Sequence, residues 1–231
     1  MSEVKKYKSV AHMVKDHNFD AIKNYFKANP KALESIKEVN EKGYRDIDKL
    51  LELSILNPNK DIVDYLIFHG ADINVCDDNG TSLLMIAAQS NNVQSIHTLI
   101  EKGVDLHKID ETFKKAIHYA VMSNAVEAFD ALFNTGEFSI NDLVPVVNNS
   151  FLHIAAYSGS VEMTDRLIQL GVDPTLENSI EGALASECVP ETNPDDENPD
   201  NGELTEKMNN LFEKIESYRN SFKKSNNSFD F

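Results

Sequence analysis

The sequence carries a short apolar motif whose clearest copy is Ser150-Phe151-Leu152-His153-Ile154-Ala155-Ala156. Related apolar runs lie at 50–55, 83–88 and 116–121, so that successive copies are 33, 33 and 35 residues apart. Two further markers keep this step, namely an apolar pair at Leu66-Ile67, Leu99-Ile100, Leu132-Phe133 and Leu167-Ile168, and a glycine at Gly70, Gly103, Gly136 and Gly171. Three markers that share one period indicate a chain of stacked repeats.

Each repeat predicts two antiparallel helices. Ala87 and Ala88 are small enough to let two helices approach closely, and Ile96, Leu99 and Ile100 form an apolar face at helical spacing. Gly103 then supplies the left-handed conformation that ends a helix. One such unit cannot bury its apolar faces alone, so the sequence predicts a solenoid of stacked neighbours.

These residues resemble the ankyrin repeat family. The run Gly70-Ala71-Asp72-Ile73-Asn74 matches the closing segment of that repeat, and residues 150–156 with Gly159 match its opening, although the family's Thr-Pro pair is complete in no repeat. The resemblance implies an all-α fold: an ankyrin-repeat solenoid of about five helix-turn-helix units, with a C-terminal cap and a separate amphipathic helix. It implies a protein-binding function and says nothing about chemistry.

The repeats predict a domain over 1–186 with an insertion near 28–44 and a terminal cap near 178–186. The insertion follows from the spacing of Tyr25 and Leu66, which exceeds one repeat by eight residues. Within it, Leu33, Ile36 and Val39 at helical spacing predict a short extra helix. Residues 180–186 predict the first helix of a terminal half-repeat.

The C-terminal third predicts a different organisation. Residues 187–203 contain seven acidic residues, no Lys or Arg and three prolines, which is typical of a linker; the alternative is an acidic strip that docks a basic partner. Residues 204–224 predict an amphipathic helix whose apolar stripe is Leu204, Met208, Leu211, Ile215 and Tyr218. This helix either folds back onto the last repeat, docks another protein or pairs with a second copy. We expect a disordered tail over 225–231.

Charge and composition exclude several classes of function. The net charge of −16 disfavours nucleic acid and anionic membranes, because both are bound through Lys and Arg. No run of about 18 apolar residues predicts a membrane span. Cys76 and Cys188 lie far apart, which favours a reducing compartment. We therefore expect a cytoplasmic protein or, alternatively, one translocated into a host cell.

The sequence contains no recognisable catalytic, cofactor or metal motif. His118 and His153 occupy the position at which the family's turn histidine orders neighbouring hairpins. We therefore expect a protein without enzymatic activity, cofactor or metal. The alternative is an enzyme with an unrecognised site, completed by the 28–44 insertion or by the C-terminal helix. A deep pocket with converging histidines and carboxylates would favour that alternative.

The resemblance also implies a concave face, built from turn tips and the exposed side of each first helix, on which partners dock. Four of its residues, Met122, Val146, Val147 and Tyr157, are apolar where a merely solvated surface would be polar. Carried onto this sequence, the face comprises Arg45, Asp46, Asp48, Asp78, Asn79, Thr81, Gln89, Ser90, Glu111, Thr112, Lys114, Met122, Val146, Val147, Asn149 and Tyr157.

We expect this face to bind another protein that carries a basic patch, with the chain itself a monomer. The leading hypothesis is an adaptor or a stoichiometric inhibitor. The alternative is an effector that an intracellular bacterium or parasite secretes to bind a host protein.

Overall fold

The apolar period of the sequence is realised as paired helices. The structure is a computed structural model that describes residues 10–40, 43–57, 59–179, 182–189 and 201–227. The first helices of the units are α1 (10–15), α4 (Asp46–Leu56), α6 (Leu83–Gln89), α8 (Ala116–Met122) and α10 (Phe151–Tyr157). The second helices are α2 (Phe19–Ala28), α5 (Lys60–Phe68), α7 (Val93–Glu101), α9 (Val126–Phe133) and α11 (Val161–Gln169). The mostly helical, repeating architecture confirms the predicted solenoid.

The units stack because each helix has its neighbours' equivalent helices beside it. First helices contact first helices along α4, α6, α8 and α10, and second helices contact second helices along α7, α9 and α11. Ala87, Ala88 and Ala155 are fully buried, as the close approach of two helices requires. Between units, the rings of Phe129 and Phe151 meet edge to face with centroids 5.7 Å apart. The result is one continuous apolar core along the solenoid.

Asparagines tie each unit to the next. Asn91, in the turn between α6 and α7, has a left-handed φ of 53°, which asparagine adopts more readily than most residues. Its side-chain oxygen accepts a hydrogen bond from the Ala128 N–H at 2.9 Å, and its amide donates to Glu127 at 2.7 Å. Asn124, one repeat later, bonds to Met163 and Glu162 of the following unit in the same way. These bonds set the register between successive second helices.

Short hairpins join the units. The best formed pairs β1 (Leu143–Val144) with β2 (Asn149–Ser150) in antiparallel register, and isolated bridges join Cys76 with Ser82 and Glu177 with Leu184. His153 links two of these hairpins. Its Nδ1 lies 2.7 Å from the Ser150 hydroxyl, and its Nε2 lies 3.0 Å from the carbonyl oxygen of Ala183.

His118 occupies the same position one repeat earlier. It is 1% exposed, and its Nδ1 accepts a hydrogen bond from the Lys115 N–H at 2.9 Å. Its Nε2 has no recorded partner, and its ring lies 5.4 Å from that of Phe151. Both histidines therefore act within the fold.

The insertion near 28–44 contains one short helix, α3 (Pro30–Ser35). This helix and the turn after it bury Ala32 and Ile36. The predicted helical role of Val39 is wrong, because Val39 is 66% exposed and bridges Arg45 outside any helix. Residues 41 and 42 lie outside the described part of the chain.

The terminal half-repeat is shorter than the sequence predicted. Instead of a helix over 180–186, the chain forms the Glu177–Leu184 bridge and a single 3₁₀ turn, Ala185–Cys188. Residues 180 and 181, and most of the linker predicted over 187–203 (residues 190–200), lie outside the described residues.

The last helix, α12 (Asn201–Asn227), contacts α11 and the 3₁₀ turn. Met208, Leu211 and Ile215 are buried along its inner stripe. Lys214 pairs with Asp165 at 2.6 Å, and the Tyr218 hydroxyl donates to the carbonyl of Val172 at 2.8 Å. Residues 225–227, predicted to belong to a disordered tail, continue this helix, and 228–231 lie outside the described residues.

Within the described ranges, no helix is both long enough and apolar enough to cross a membrane.

We predict that His118 makes the stability of the fold depend on pH. Burial lowers the pKa of His118 to about 4 from an ordinary 6.5, and the nearby Lys115 charge acts in the same direction. Between these values the unfolded chain binds the proton and the folded chain does not, so stability is complete above about pH 6.5 and falls as the pH drops towards 4. The full loss is about 3 kcal/mol. Urea unfolding across this range measures it.

His118→Gln is the matched variant, because glutamine keeps an acceptor for the Lys115 N–H and does not titrate. The variant should lose less free energy of unfolding between pH 6.5 and 4 than the wild type. Two parallel pH curves would contradict the assignment.

We predict that α12 contributes to folding through its buried stripe. Ile215→Ala removes a fully buried side chain and should lower the free energy of unfolding by about 2–4 kcal/mol. Phe212→Ala, on the exposed side of the same helix, should change it by less than about 0.5 kcal/mol. Chemical denaturation compares the two variants, and equal stabilities would show that α12 is not docked in solution.

Candidate functional site

We call the hairpin tips and the last residues of the first helices, taken together, the candidate face. Most of its predicted members are solvent-exposed: Asp78, Asn79, Gln89, Ser90, Glu111, Thr112, Met122, Val146 and Tyr157. A second group is half-buried: Arg45, Asp46, Thr81, Lys114, Val147 and Asn149. Asp48 alone among the predicted residues is buried.

The exposed apolar side chains of this face occupy equivalent positions. Tyr157 is 74% exposed and Met122 is 40% exposed, and both are the last residues of their first helices. Leu56, which the sequence analysis missed, is the last residue of α4 and is 48% exposed. It lies one repeat before Gln89, so the period itself could have identified it. A column of helix ends therefore presents apolar surface to solvent.

Two hairpin tips hold apolar side chains in a strained backbone conformation. Val146 is 73% exposed with φ 74°, and Phe113 is 42% exposed with φ 63°. A β-branched residue in the left-handed region is a rare outlier, and such strain costs on the order of 1–3 kcal/mol. Ser179 of the next hairpin fixes the Val146 tip: its hydroxyl donates to the Val146 carbonyl at 2.8 Å, and its N–H donates to the Val147 carbonyl at 3.0 Å. This apolar tip is preformed rather than adaptable.

Asp110 organises the hairpin tip of the fourth unit. Its carboxylate accepts hydrogen bonds from the Thr112 and Lys114 N–H groups, each at 2.8 Å, and from the Tyr119 hydroxyl at 2.6 Å. Burial raises the pKa of this carboxyl, but these hydrogen bonds together outweigh it and hold the pKa below its usual value. Burial, together with the bond to Asp110, raises the pKa of Tyr119 to about 12.

Sequence reasoning missed Asp110 and its counterpart Asp77, which accepts from the Asn79 and Thr81 N–H groups at 2.9 and 2.8 Å. The two aspartates are 33 residues apart, and that shared step was the available signal.

Asp48 braces the second unit and does not face a partner. It is 6% exposed, and Arg45 donates to both of its oxygens, at 2.7 and 2.8 Å. Its carboxylate also accepts the Asp72 N–H at 2.8 Å, while Arg45 reaches the Gly70 carbonyl at 3.1 Å. We therefore assign Asp48 an internal role, because all these bonds join α4 to the turn that ends the same unit.

A cleft lies on the candidate face between the second and third units. The described residues around it include Arg45, Asp48, Asp78 and Thr81 of the predicted set, and no histidine. In the described ranges, no group of three or more His, Cys, Asp or Glu side chains is arranged to hold a metal ion. The candidate face therefore offers charge, hydrogen bonds and apolar contact.

Comparison with known families identifies the repeats. A family model described as ankyrin repeats (3 copies) matches residues 50–142, and a second, described as ankyrin repeats (many copies), matches residues 117–168. The two matches together span just over half of the chain. A comparison with curated proteins finds no match.

We predict that Asp48 is required for stability and Asp78 is not. Asp48→Ala leaves the half-buried Arg45 guanidinium and the Asp72 N–H without their acceptor, which should lower the free energy of unfolding by about 2–3 kcal/mol. Asp78→Ala changes an exposed residue of the same face and should alter stability by less than about 0.5 kcal/mol. Denaturant titration of both variants checks this, and a stable Asp48→Ala protein would refute the internal role.

Proposed function

Because this chain belongs to the ankyrin repeat family, whose repeats are generally protein–protein interaction modules, we propose that it binds a partner protein through the candidate face. It acts as an adaptor or a stoichiometric inhibitor, by covering a surface of its partner rather than by chemistry. One copy of the chain provides the whole face.

The exposure of Tyr157, Met122 and Val146 carries this proposal. All three side chains are exposed, and Met122 and Tyr157 are so although the preceding residues of their helices, Val121 and Ala156, are fully buried. Exposed apolar residues that cluster on one surface mark contact sites. Aromatic side chains in particular supply much of the binding energy at such sites.

The preformed tips favour tight binding to a partner. An apolar side chain that is already fixed before the partner arrives loses little conformational entropy on binding. The Val146 tip is fixed in this way by two hydrogen bonds from Ser179. The strain at this tip is consistent with a functional reason for retaining it.

The charge of the chain supports a basic partner. With a net charge of −16, the protein attracts a positively charged surface at long range, and association should slow as salt screens this attraction.

A catalytic role finds no support in the perturbed side chains. Tyr119 of α8 donates a hydrogen bond to Asp110 in the hairpin tip of the fourth unit, and His118 is buried against Phe151. Each of these groups therefore has its pKa shifted by a structural role. We propose that the protein has no enzymatic activity.

We predict that the double variant Met122→Ala/Tyr157→Ala loses partner binding while remaining folded. Truncating two exposed apolar anchors should weaken affinity at least about tenfold. The midpoint of thermal unfolding should barely move, because both side chains are exposed. The wild type and the variant are each immobilised, and the proteins that they capture from cell lysate are quantified by mass spectrometry. The difference in affinity is then confirmed with the purified partner.

Phe68→Ala/Phe212→Ala is the matched control, because it removes two exposed aromatic side chains outside the candidate face. This control should retain the partner at the wild-type level. If the Met122/Tyr157 variant binds the confirmed partner as tightly as the control does, the partner docks elsewhere.

A further inference from the structure

We infer that the cleft between the second and third units receives a lysine or arginine side chain of the partner. This inference rests on the proposed function and adds the chemistry of the partner to it. The cleft has a volume of about 390 Å³, and one of its walls comes from the insertion after α2.

The insertion gives this unit a wall that a repeat of ordinary length lacks. Val39 and Tyr44 lie at the end of the insertion, and they line the same cleft as Val75 and Ile86. Val39 is 66% exposed and Tyr44 is 37% exposed. The backbone bridge between Val39 and Arg45 holds this wall in place. The cleft is therefore lined by exposed apolar side chains of the insertion and by the half-buried Val75 and Ile86. The Lys49 ammonium lies 5.4 Å from the centre of the Tyr44 ring, so this wall already accommodates one basic side chain.

The floor and rim of the cleft carry excess negative charge. Two cations, Arg45 and Lys49, line it together with five carboxylates, Asp48, Glu52, Asp72, Asp77 and Asp78, so that three negative charges remain. The cations are already engaged: Arg45 pairs with Asp48 at 2.7 Å, and Lys49 pairs with Glu52 at 3.0 Å.

Among the described residues, no cation forms an ion pair with the remaining carboxylates, Asp72, Asp77 and Asp78. Asp72 accepts the Asn74 N–H at 2.9 Å, and Asp77 accepts the Asn79 and Thr81 N–H groups. Asp78 is exposed, and no described group donates a hydrogen bond to it. Backbone amides therefore hold Asp72 and Asp77, and the charge of Lys49, which is already paired with Glu52, also acts on Asp77.

A basic side chain complements both features of the cleft. Lysine and arginine have apolar stems that pack along aliphatic and aromatic surfaces while their charged heads stay polar. The stem would lie along Val39 and Val75, and the head would reach Asp77 or Asp78. A purely apolar side chain would leave the carboxylates desolvated without compensation, and an acidic side chain would be repelled.

Selection from a random peptide library tests this inference, with the full chain as bait. The peptides that bind the wild type should be enriched in lysine or arginine. Asp77→Asn/Asp78→Asn should lose this enrichment and should bind a selected peptide about five- to tenfold more weakly, since each exposed charge pair contributes modestly. Asparagine keeps the oxygen that accepts the hairpin N–H groups, so the tip should stay folded.

Two further variants separate the cleft from general charge. Asp20→Asn/Asp61→Asn changes the net charge by the same amount as the Asp77→Asn/Asp78→Asn variant, but on the second helices α2 and α5. This control should bind the peptide like the wild type. Val39→Ser removes an exposed apolar side chain of the wall and should also weaken peptide binding several-fold. Long-range electrostatic attraction would not explain this loss, because the substitution leaves the net charge unchanged. If either cleft variant binds the selected peptide as the wild type does, the cleft is not the site of the basic side chain.

The same selection distinguishes this inference from the proposed function. Peptides that depend on Tyr157 but lack basic residues would overturn the inference and leave the candidate face intact. A chain that selects no peptide sensitive either to Asp77→Asn/Asp78→Asn or to Met122→Ala/Tyr157→Ala would overturn both.

Discussion

The fold depends on one constraint, which is that a two-helix unit of this size cannot bury its apolar faces by itself. Each unit must therefore pack its apolar surface against the next unit, as the edge-to-face contact of Phe129 with Phe151 shows at one such boundary. The small residues Ala87 and Ala155 allow this approach because they are fully buried between helices. Polar links such as Asn91 to Ala128 then fix the register that the apolar contacts alone leave loose.

Stacking of this kind buries the sides of every unit and leaves its hairpin tips and helix ends exposed to solvent. Apolar side chains at those places, such as Tyr157 and Val146, are therefore not required by the core. The residues proposed to bind a partner and the residues that stabilise the fold are therefore different members of the same repeat, as the exposed Asp78 and the buried Asp48 illustrate.

Two departures from the regular repeat have different effects. At the C-terminus, α12 covers the last unit with Met208, Leu211 and Ile215, so that the final apolar surface is not left in water. Near the N-terminus, the insertion contributes α3 and then an exposed wall beside the second unit. Helix α12 therefore completes the core at the C-terminal end, whereas the insertion shapes a cleft beside the second unit.

The sequence alone determined the repeat, the helix pairs and the apolar stripe of α12. Positions that are buried at a regular spacing must carry apolar residues at that same spacing, so the pattern can be read from the residues. The resemblance to ankyrin repeats placed Met122 and Tyr157 on the exposed side of the first helices, and both side chains are exposed. Tertiary structure alone decided the roles of Val39, Asp48 and Asp110, since each depends on contacts between segments that are distant in sequence or conformationally irregular. A carboxylate that braces a turn and one that faces water look alike in sequence, and only the packing around them separates the two.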